Sequence, residues 1–168
     1  AVVAIEDITE QSKIKNTFKR YVSKSVVDQL LDDDQKLNLG GEERDVTVLF
    51  SDIRGFTAMS EKMTPKEVVR TLNSYFSEMI DIIFKYDGTL DKIVGDELMV
   101  VFGAPNKLKG HENKAIECAM MMREKLKELN HSWDENDTSR YWKNHGIESI
   151  TMRIGVHTGS VIAGNVGS

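Results

Sequence analysis

Cysteine and proline are scarce in this chain of 168 residues, which contains one Cys and two Pro. A single cysteine excludes an internal disulfide, so the chain does not belong to the disulfide-stabilised secreted scaffolds. Cys118 lies in an apolar helical run without an activating neighbour, and this favours an inert buried thiol over a nucleophile.

Long apolar runs and an excess of positive charge are also missing. No apolar run approaches the roughly 20 residues that a membrane-spanning helix needs. The net charge is −5, which gives the chain no general affinity for nucleic acid. The chain begins without Met and without a signal peptide, and we expect both of its ends to lie inside a longer protein.

The composition otherwise fits one globular domain with an appendage. Apolar residues make up 40% of the chain and charged residues 29%, which is enough apolar material for one core. Residues 1–5 predict a strand, and Asp7 and Glu10 have the spacing of a helix start. The predicted helix then has an apolar residue at every third or fourth position, namely Ile14, Phe18, Val22, Val26 and Leu30.

Two alternatives stay open for this N-terminal helix. Its pattern covers only about two heptads, which fits either a dimeric coiled coil or one amphipathic helix packed on its own domain. Residues 32–41 predict a polar linker, in which the three Asp are more simply a solvated helix end than a metal site. The chain is therefore divided into residues 1–10, a helix and linker at 11–43, and a main domain at 44–168.

The main domain mixes strands and helices. Thr64, Pro65 and Glu67 predict a helix start as N-cap, N1 and N3, and Asp87-Gly88 predicts a glycine-capped end. A second helix over about residues 112–129 is predicted to turn inward Ala115, Ile116, Ala119, Met120 and Leu126. Strands are predicted at residues 46–52, 90–94, 98–102, 150–156 and 161–166. The order βαββαβ plus one strand predicts a ferredoxin-like α+β fold, with the helices on one face of the sheet.

Two further features concern packing in this domain. The methionines at 120–122 are more simply gap-filling core residues than a ligand surface. Residues 131–146 are polar and irregular in pattern, and Trp133 and Trp142 are expected to anchor them.

Asp52 stands where an apolar strand gives way to a turn. A carboxylate in that place must be paired, hydrogen-bonded or metal-bound. The turn contains Gly55, and the N–H groups of residues 53–57 can point into one concavity and hold phosphate oxygens. Thr57 adds a hydroxyl. Taken alone, Asp52 is equally well explained as a structural residue.

Asp96 follows Gly95 at the tip of a predicted hairpin. In a ferredoxin-like sheet this tip lies beside the end of the first strand, so Asp52 and Asp96 are predicted to converge. Two carboxylates, a carbonyl and phosphates make a hard-oxygen site for Mg²⁺ or Mn²⁺. Asp96 alone is more simply a turn residue, but the pair together with the glycine turn favours a metal-bound nucleotide. Asp91 and Glu97 are turned away by strand alternation and are not expected to be ligands.

Two cationic side chains complete the candidate site. Arg153 stands opposite the apolar set of its strand and suits a phosphate, although a solvated or salt-bridged arginine is the simpler explanation of that residue alone. Lys92 lies four residues before Asp96. Without this spacing, a surface lysine would be an equally good interpretation of Lys92. No role is assigned to His111 or His157.

From about residue 44 to residue 168 the chain resembles the catalytic domain of class III nucleotidyl cyclases. Three segments carry the resemblance in the family's order: residues 50–57, 91–96 and 152–159. The resemblance implies a head-to-tail homodimer that converts a nucleoside triphosphate to the 3′,5′-cyclic monophosphate and pyrophosphate, with two Mg²⁺ or Mn²⁺ ions per active site. The resemblance therefore implies a lyase, and the lysine at position 92 implies that its substrate is ATP.

The resemblance also implies residue roles. Asp52 and Asp96 match the two metal-binding aspartates, and the carbonyl of Ile53 would be a further ligand. Arg153 matches an arginine that contacts the phosphates. The turn around the triphosphate matches Gly55, Phe56 and Thr57. Lys92 matches the purine-selecting position, where lysine implies adenine and glutamate would imply guanine, and in the family it acts across the dimer interface.

The N-terminal part has a resemblance of its own. Residues 3–10 are similar to the exit strand of a PAS sensor domain, and residues 18–27 are similar to the signalling helix that precedes many bacterial cyclase domains. This implies a sensor upstream in the same protein and a second dimer contact through the helix. A cytoplasmic location is expected, in a larger protein that can itself be attached to a membrane.

One departure from the family and three alternatives stand beside the adenylate cyclase hypothesis. The family carries its second purine contact and its transition-state asparagine and arginine after the position of Ser168, so we expect the chain as it stands to be inactive or nearly so. A guanylate cyclase is opposed by Lys92. A diguanylate cyclase is opposed by Val94 and Leu98, which replace two residues of its Gly-Gly-Asp-Glu-Phe hairpin. A non-catalytic dimerisation module is opposed by the presence of Asp52, Asp96 and Lys92 and favoured only by the lack of the segment after Ser168.

Overall fold

The structure, a computed structural model, describes residues 40–165. The elements in this range are β1 (Gly40–Ile53), α1 (Phe56–Ser60), α2 (Pro65–Lys85), β2 (Thr89–Val94), β3 (Glu97–Phe102), α3 (His111–Glu135), α4 (Arg140–Lys143) and β4 (Met152–Asn165). The predicted strand and helix at residues 1–5 and 11–31 lie outside the described residues. Among the helices of residues 40–165, none has both the length and the apolar content to cross a membrane.

The four strands form one antiparallel sheet in the order β2-β3-β1-β4. Together with the βαββαβ order of the elements, this is the predicted ferredoxin-like α+β arrangement, and the prediction is confirmed. Strand β1 is central. It pairs with β3 from Thr47↔Phe102 to Ser51↔Leu98 and with β4 along its whole length.

Alternation along β1 separates the sheet into two faces. Thr47, Leu49, Ser51 and Ile53 are buried, and Leu49 and Ile53 belong to the core that α2 and α3 complete. The residues between them point to the opposite face, which the helices leave uncovered and which we call the open face. The open face carries Val48, Phe50, Asp52, Met99, Val101 and Arg153, and Phe50 there is 42% exposed.

Helix α2 begins as its sequence predicts. Thr64 accepts a hydrogen bond from the N–H of Glu67, and the Glu67 carboxylate accepts one from the N–H of Thr64 at 2.8 Å. The end of the helix differs from the prediction, because the left-handed residue is Asp87, with φ 61°, and the glycine follows it. The N–H of Gly88 bonds to the carbonyl of Ile83 at 2.9 Å, which completes a Schellman motif.

Helix α3 is longer than predicted and rotated relative to the predicted inward face. Its buried side chains are Ala115, Cys118, Met122, Leu126, Leu129 and Trp133. Ile116 and Met120, predicted to point inward, are 50% and 65% exposed. That prediction was wrong because the face that packs in the core runs through Cys118 and Met122, which lie roughly 160° and 120° around the helix from Ile116. Of the methionines at 120–122, only Met122 is a core residue.

Residues 131–146 are anchored by two tryptophans, as predicted. Trp133 and Trp142 are buried and pack edge to face with their ring centroids 5.3 Å apart. The irregular pattern of residues 131–146 concealed the last turn of α3 and the short helix α4. The prediction that Cys118 is buried is confirmed, and its burial raises the pKa of the thiol to about 12.

Strands β1 and β4 are both longer than predicted. The sequence predicted separate strands at 150–156 and 161–166, but β4 is one strand of 14 residues across Gly159. Likewise β1 begins at Gly40, within the predicted linker. The added residues of β1 pair with the added residues of β4, from Gly40↔Asn165 to Val46↔Gly159. Neither strand has a strong β-pattern there, so only their mutual pairing explains the extension.

We predict that Gly88→Ala destabilises the fold by about 1–3 kcal/mol through overpacking. A Cβ at this position would lie 2.9 Å from side-chain carbons of both Ile83 and Val100 and 3.0 Å from Phe102. Urea unfolding measures the change. Gly155→Ala is the matched control, because a Cβ at Gly155 has no atom within 4 Å. Equal stability of the two variants would contradict the close approach at Gly88.

Candidate active site

The hairpin tip and the end of β1 are joined by one hydrogen bond. Gly95 and Asp96 form the two-residue turn between β2 and β3, and the backbone N–H of Ile53 donates to Asp96 Oδ2 at 2.9 Å. Asp96 therefore lies beside the residue that follows Asp52. The structure brings the two predicted aspartates to the same edge of the sheet.

Asp52 and Arg153 form a bidentate salt bridge on the open face. They are directly opposite each other in the β1–β4 register. Arg153 Nε donates to Asp52 Oδ1 at 2.9 Å and Nη2 donates to Oδ2 at 2.6 Å. The hydrogen bond and the charge of Asp52 raise the pKa of Arg153. Each carboxylate oxygen thus accepts one hydrogen bond from the guanidinium, and a cation that binds Asp52 would compete with Arg153 for the same group.

The turn after β1 presents backbone N–H groups next to these side chains. Gly55 adopts the left-handed conformation, with φ 73°, and is the N-cap of α1, whose first residues are Phe56 and Thr57. An L side chain at Gly55 would be strained there. Two of the N–H groups predicted to hold phosphate are already engaged, because Ile53 donates to Asp96 and Arg54 donates to the carbonyl of Thr151 at 2.8 Å. No side chain caps α1, so the N–H groups from Phe56 onward are the ones that can meet an anion. The side chain of Ile53 is a core residue, and only its backbone belongs to the site.

Lys92 reaches the open face through an irregularity in β2. The register shifts between Leu90 and Lys92, so that Lys92 lies opposite Met99. Met99 is in turn opposite Phe50 of β1, on the open face. Without the bulge Lys92 would point to the helices. Lys92 contacts Asp91 at 3.3 Å, and two strand spacings, roughly 10 Å, separate it from β1. The structure therefore does not bring Lys92 to Asp52 within one copy of the chain.

The oxygen donors at this edge fit a hard divalent cation. Asp52 and Asp96 supply carboxylates, and the backbone carbonyl of Ile53 is a further oxygen ligand of the type that Mg²⁺ and Mn²⁺ bind. Within residues 40–165 no group of three or more His, Cys, Asp or Glu could hold a metal by itself. A cation here would complete its shell with water and phosphate oxygens, as Mg²⁺ does at nucleotides.

Two buried hydroxyls near the aspartates were not singled out by the sequence pattern. Tyr75 of α2 and Ser51 of β1 are 0% and 1% exposed, and neither hydroxyl has a hydrogen-bond partner in the described part of the chain. Burial raises the pKa of Tyr75, the charges of Asp96 and Asp52 raise it further, and the Ser51 hydroxyl lowers it. The effect of Ser51 shows that it is near, but the two hydroxyls do not meet hydrogen-bond geometry. The only sequence signal was the inward period of α2, which includes Tyr75.

Comparisons with known proteins agree on one family. The family described as "Adenylate and Guanylate cyclase catalytic domain" matches residues 41–168. An adenylate cyclase of Anabaena cylindrica is 32% identical over 161 residues, which are 93% of this chain and 30% of that protein. The chain thus spans less than a third of the length of this curated relative.

Solved structures give the same result. The guanylyl cyclase Cya2 is 39% identical with a TM-score of 0.67, over 77% of this chain and 61% of that one. The adenylyl cyclase CyaB from P. aeruginosa is 36% identical with a TM-score of 0.66, over 77% and 63%. The family model matches residues 41–168, and the βαββαβ elements lie in the same part of the chain. The chain therefore belongs to the family of adenylate and guanylate cyclase catalytic domains.

Proposed function

We propose that this domain is an adenylate cyclase, which converts ATP to 3′,5′-cyclic AMP and pyrophosphate. The observation that carries the proposal is the hydrogen bond from Ile53 N–H to Asp96. It holds Asp96 at the edge where Asp52 ends β1 and where the uncapped turn at Gly55 begins. Carboxylates for metal and N–H groups for phosphate then share one edge of the sheet.

Asp52, Asp96 and the Ile53 carbonyl would hold two Mg²⁺ or Mn²⁺ ions. Bound there, the ions supply charge that activates the ribose 3′-hydroxyl and stabilises the pyrophosphate leaving group. Arg153 is ready to exchange Asp52 for phosphate oxygens, because both present the same two-oxygen pattern to a guanidinium. The Arg153 side chain is 67% exposed, so solvent screening weakens its present ion pair.

Lys92 supports adenine as the purine. An ammonium group donates hydrogen bonds, and N1 of adenine accepts one. Guanine presents an N–H donor at N1, which would leave the lysine unmatched at a cost of about 1–3 kcal/mol. A guanylate cyclase is the second candidate, and the similarity to the guanylyl cyclase Cya2 favours it.

A second copy of the chain would complete the site. The open face exposes Phe50 beside half-buried Met99 and Val101, and an uncovered apolar sheet face of this kind is suited to a partner. Lys92 and Asp52 are on the same face, two strand spacings apart, and among the described residues no contact joins them. In a head-to-tail homodimer, Lys92 of one copy would meet the nucleotide whose metals Asp52 of the other copy holds.

The remaining proposals concern the longer protein. We infer a sensor of the PAS type upstream, joined through the helix predicted at residues 11–31, which would serve as a second dimer contact. Because the proposed substrate is ATP, the domain would work in the cytoplasm. The chain 1–168 alone is proposed to be inactive or nearly so.

The activity test uses the protein extended through the end of the family's domain. ATP and GTP are offered separately with Mn²⁺, and the cyclic product is identified by mass. We expect cyclic AMP from ATP and at least about tenfold less cyclic product from GTP, in line with the unmatched lysine. Asp52→Ala is expected to abolish both. Cyclic GMP as the main product would keep the family and reject adenine selection, and no product at all would favour a regulatory cyclase-like module.

Asp96 is predicted to have separable structural and chemical roles. Asp96→Ala leaves the part-buried N–H of Ile53 without its acceptor, so we expect a loss of about 1–3 kcal/mol in unfolding free energy. Asp96→Asn keeps an acceptor oxygen and should retain most of that stability, yet lose about 100-fold or more in cyclase rate because the charge is gone. Urea unfolding and product formation are compared for both. An Asn variant as unstable as the Ala variant would contradict the structural role.

The homodimer is tested at Phe50. Phe50→Asp puts a charge in the middle of the open face, and we expect dimerisation to weaken by about 30-fold or more, as for loss of an aromatic hot spot. Light scattering after size exclusion measures the mass. Val69→Asp is the control, since Val69 is an exposed α2 residue outside the sheet. A Phe50 variant that remains dimeric, or a wild type that is monomeric at tens of micromolar, would reject this interface.

A further inference from the structure

The hydroxyls of Ser51 and Tyr75 have no structural explanation in the fold alone. Both are completely buried, and among residues 40–165 neither has a hydrogen-bond partner. A buried hydroxyl without a partner costs about 1–3 kcal/mol, whereas Ala or Phe in the same place would avoid that cost. Unpaired buried groups of this kind need an explanation, and a role at a functional site is one that fits groups beside candidate site residues.

The location of the two hydroxyls indicates which acceptor this is. Ser51 immediately precedes Asp52 in β1 and is buried on the covered face of the sheet. Tyr75 of α2 belongs to the same core as Ile53, whose backbone N–H holds Asp96. Burial raises the pKa of Tyr75, and the charges of Asp96 and Asp52 raise it further, which agrees with this placement. The hydroxyls thus lie beneath the candidate site, on the core side of its carboxylates.

Asp96 has an oxygen to accept them. Its Oδ2 is engaged by the N–H of Ile53 at 2.9 Å. No hydrogen bond to Oδ1 is formed by any group in the described range, and Asp96 has no ion-pair partner there. Asp52, by contrast, already has both oxygens bound by Arg153. Asp96 is therefore the carboxylate that still lacks donors.

We propose that Tyr75 is a positioning residue for Asp96, with Ser51 as the neighbouring donor, and that the buried hydroxyls fix the direction in which Asp96 presents its oxygens to a divalent cation. The proposal rests on the proposed function, since it assumes that Asp96 binds metal. Carboxylates that bind metals are themselves held by hydrogen bonds, and loss of such partners typically costs 10–100-fold in metal affinity. In this chain the donors come from the core, where water does not compete.

The test measures Mn²⁺ binding directly, without turnover. Free Mn²⁺ is followed by electron paramagnetic resonance in the full-length protein with a non-cyclising ATP analogue that lacks the 3′-hydroxyl. We expect Tyr75→Phe to raise the half-saturating Mn²⁺ concentration about tenfold. Its midpoint of thermal unfolding should stay the same or rise, because an unpaired hydroxyl has been removed. Ser51→Ala should show the same combination and serves as the second variant if Tyr75→Phe does not fold.

Two matched controls separate this role from general core effects. Thr71→Val removes another buried hydroxyl without a partner, one turn earlier on α2. Tyr141→Phe removes a phenol hydroxyl that accepts a hydrogen bond from Arg70 at 3.3 Å, outside the site. Both should leave Mn²⁺ binding within twofold of wild type. A tenfold loss in Thr71→Val equal to that in Tyr75→Phe would overturn the proposal.

The same measurement distinguishes failure of this inference from failure of the proposed function. If Asp52→Ala abolishes Mn²⁺ binding while Tyr75→Phe and Ser51→Ala bind as wild type does, the positioning role is rejected and the metal site stands. If Asp52→Ala binds Mn²⁺ as wild type does, the metal site itself is rejected, and the positioning role with it.

Discussion

The pairing of β1 on both sides is the constraint on which the candidate site depends. Antiparallel pairing with β4 sets Asp52 opposite Arg153, and pairing with β3 brings the Gly95-Asp96 turn to the N–H of Ile53. A slip of one residue in β1 would turn Asp52 into the core and Ser51 outward. Such a slip is strongly opposed, because Leu49 and Ile53 would leave the core at the same time.

The two faces of the sheet have different functions, one in packing the core and the other in forming the candidate site. On the covered face, β1 and β3 contribute Leu49, Val100 and Phe102 to one core with α2 and α3, which makes the sheet rigid. The open face holds the charged site and an exposed aromatic residue. One irregularity, the bulge in β2, moves Lys92 from the covered face to the open one. The bulge thereby places a purine-selecting candidate on the same surface as the carboxylates.

Charge and burial are balanced differently at the two aspartates. Asp52 and Arg153 form their pair near solvent, where exchange of partners is easy because water stabilises both separated charges. Asp96 is held by the part-buried backbone N–H of Ile53, which belongs to the central strand and cannot move to water. The first aspartate is therefore suited to release and rebind, and the second to stay in one orientation.

The sequence alone was enough to predict the βαββαβ core, the capping box at Thr64 and Glu67, and the segments that identify the family, because these depend on local spacing and residue type. It did not determine the length of β1 and β4, the exposed face of α3 or the bulge at Lys92, since each depends on which partner a segment meets in space. The Asp52–Arg153 pair and the buried hydroxyl of Tyr75 were likewise decided by tertiary structure. Residues from separate elements meet there, and no period along one element can reveal a contact made between two.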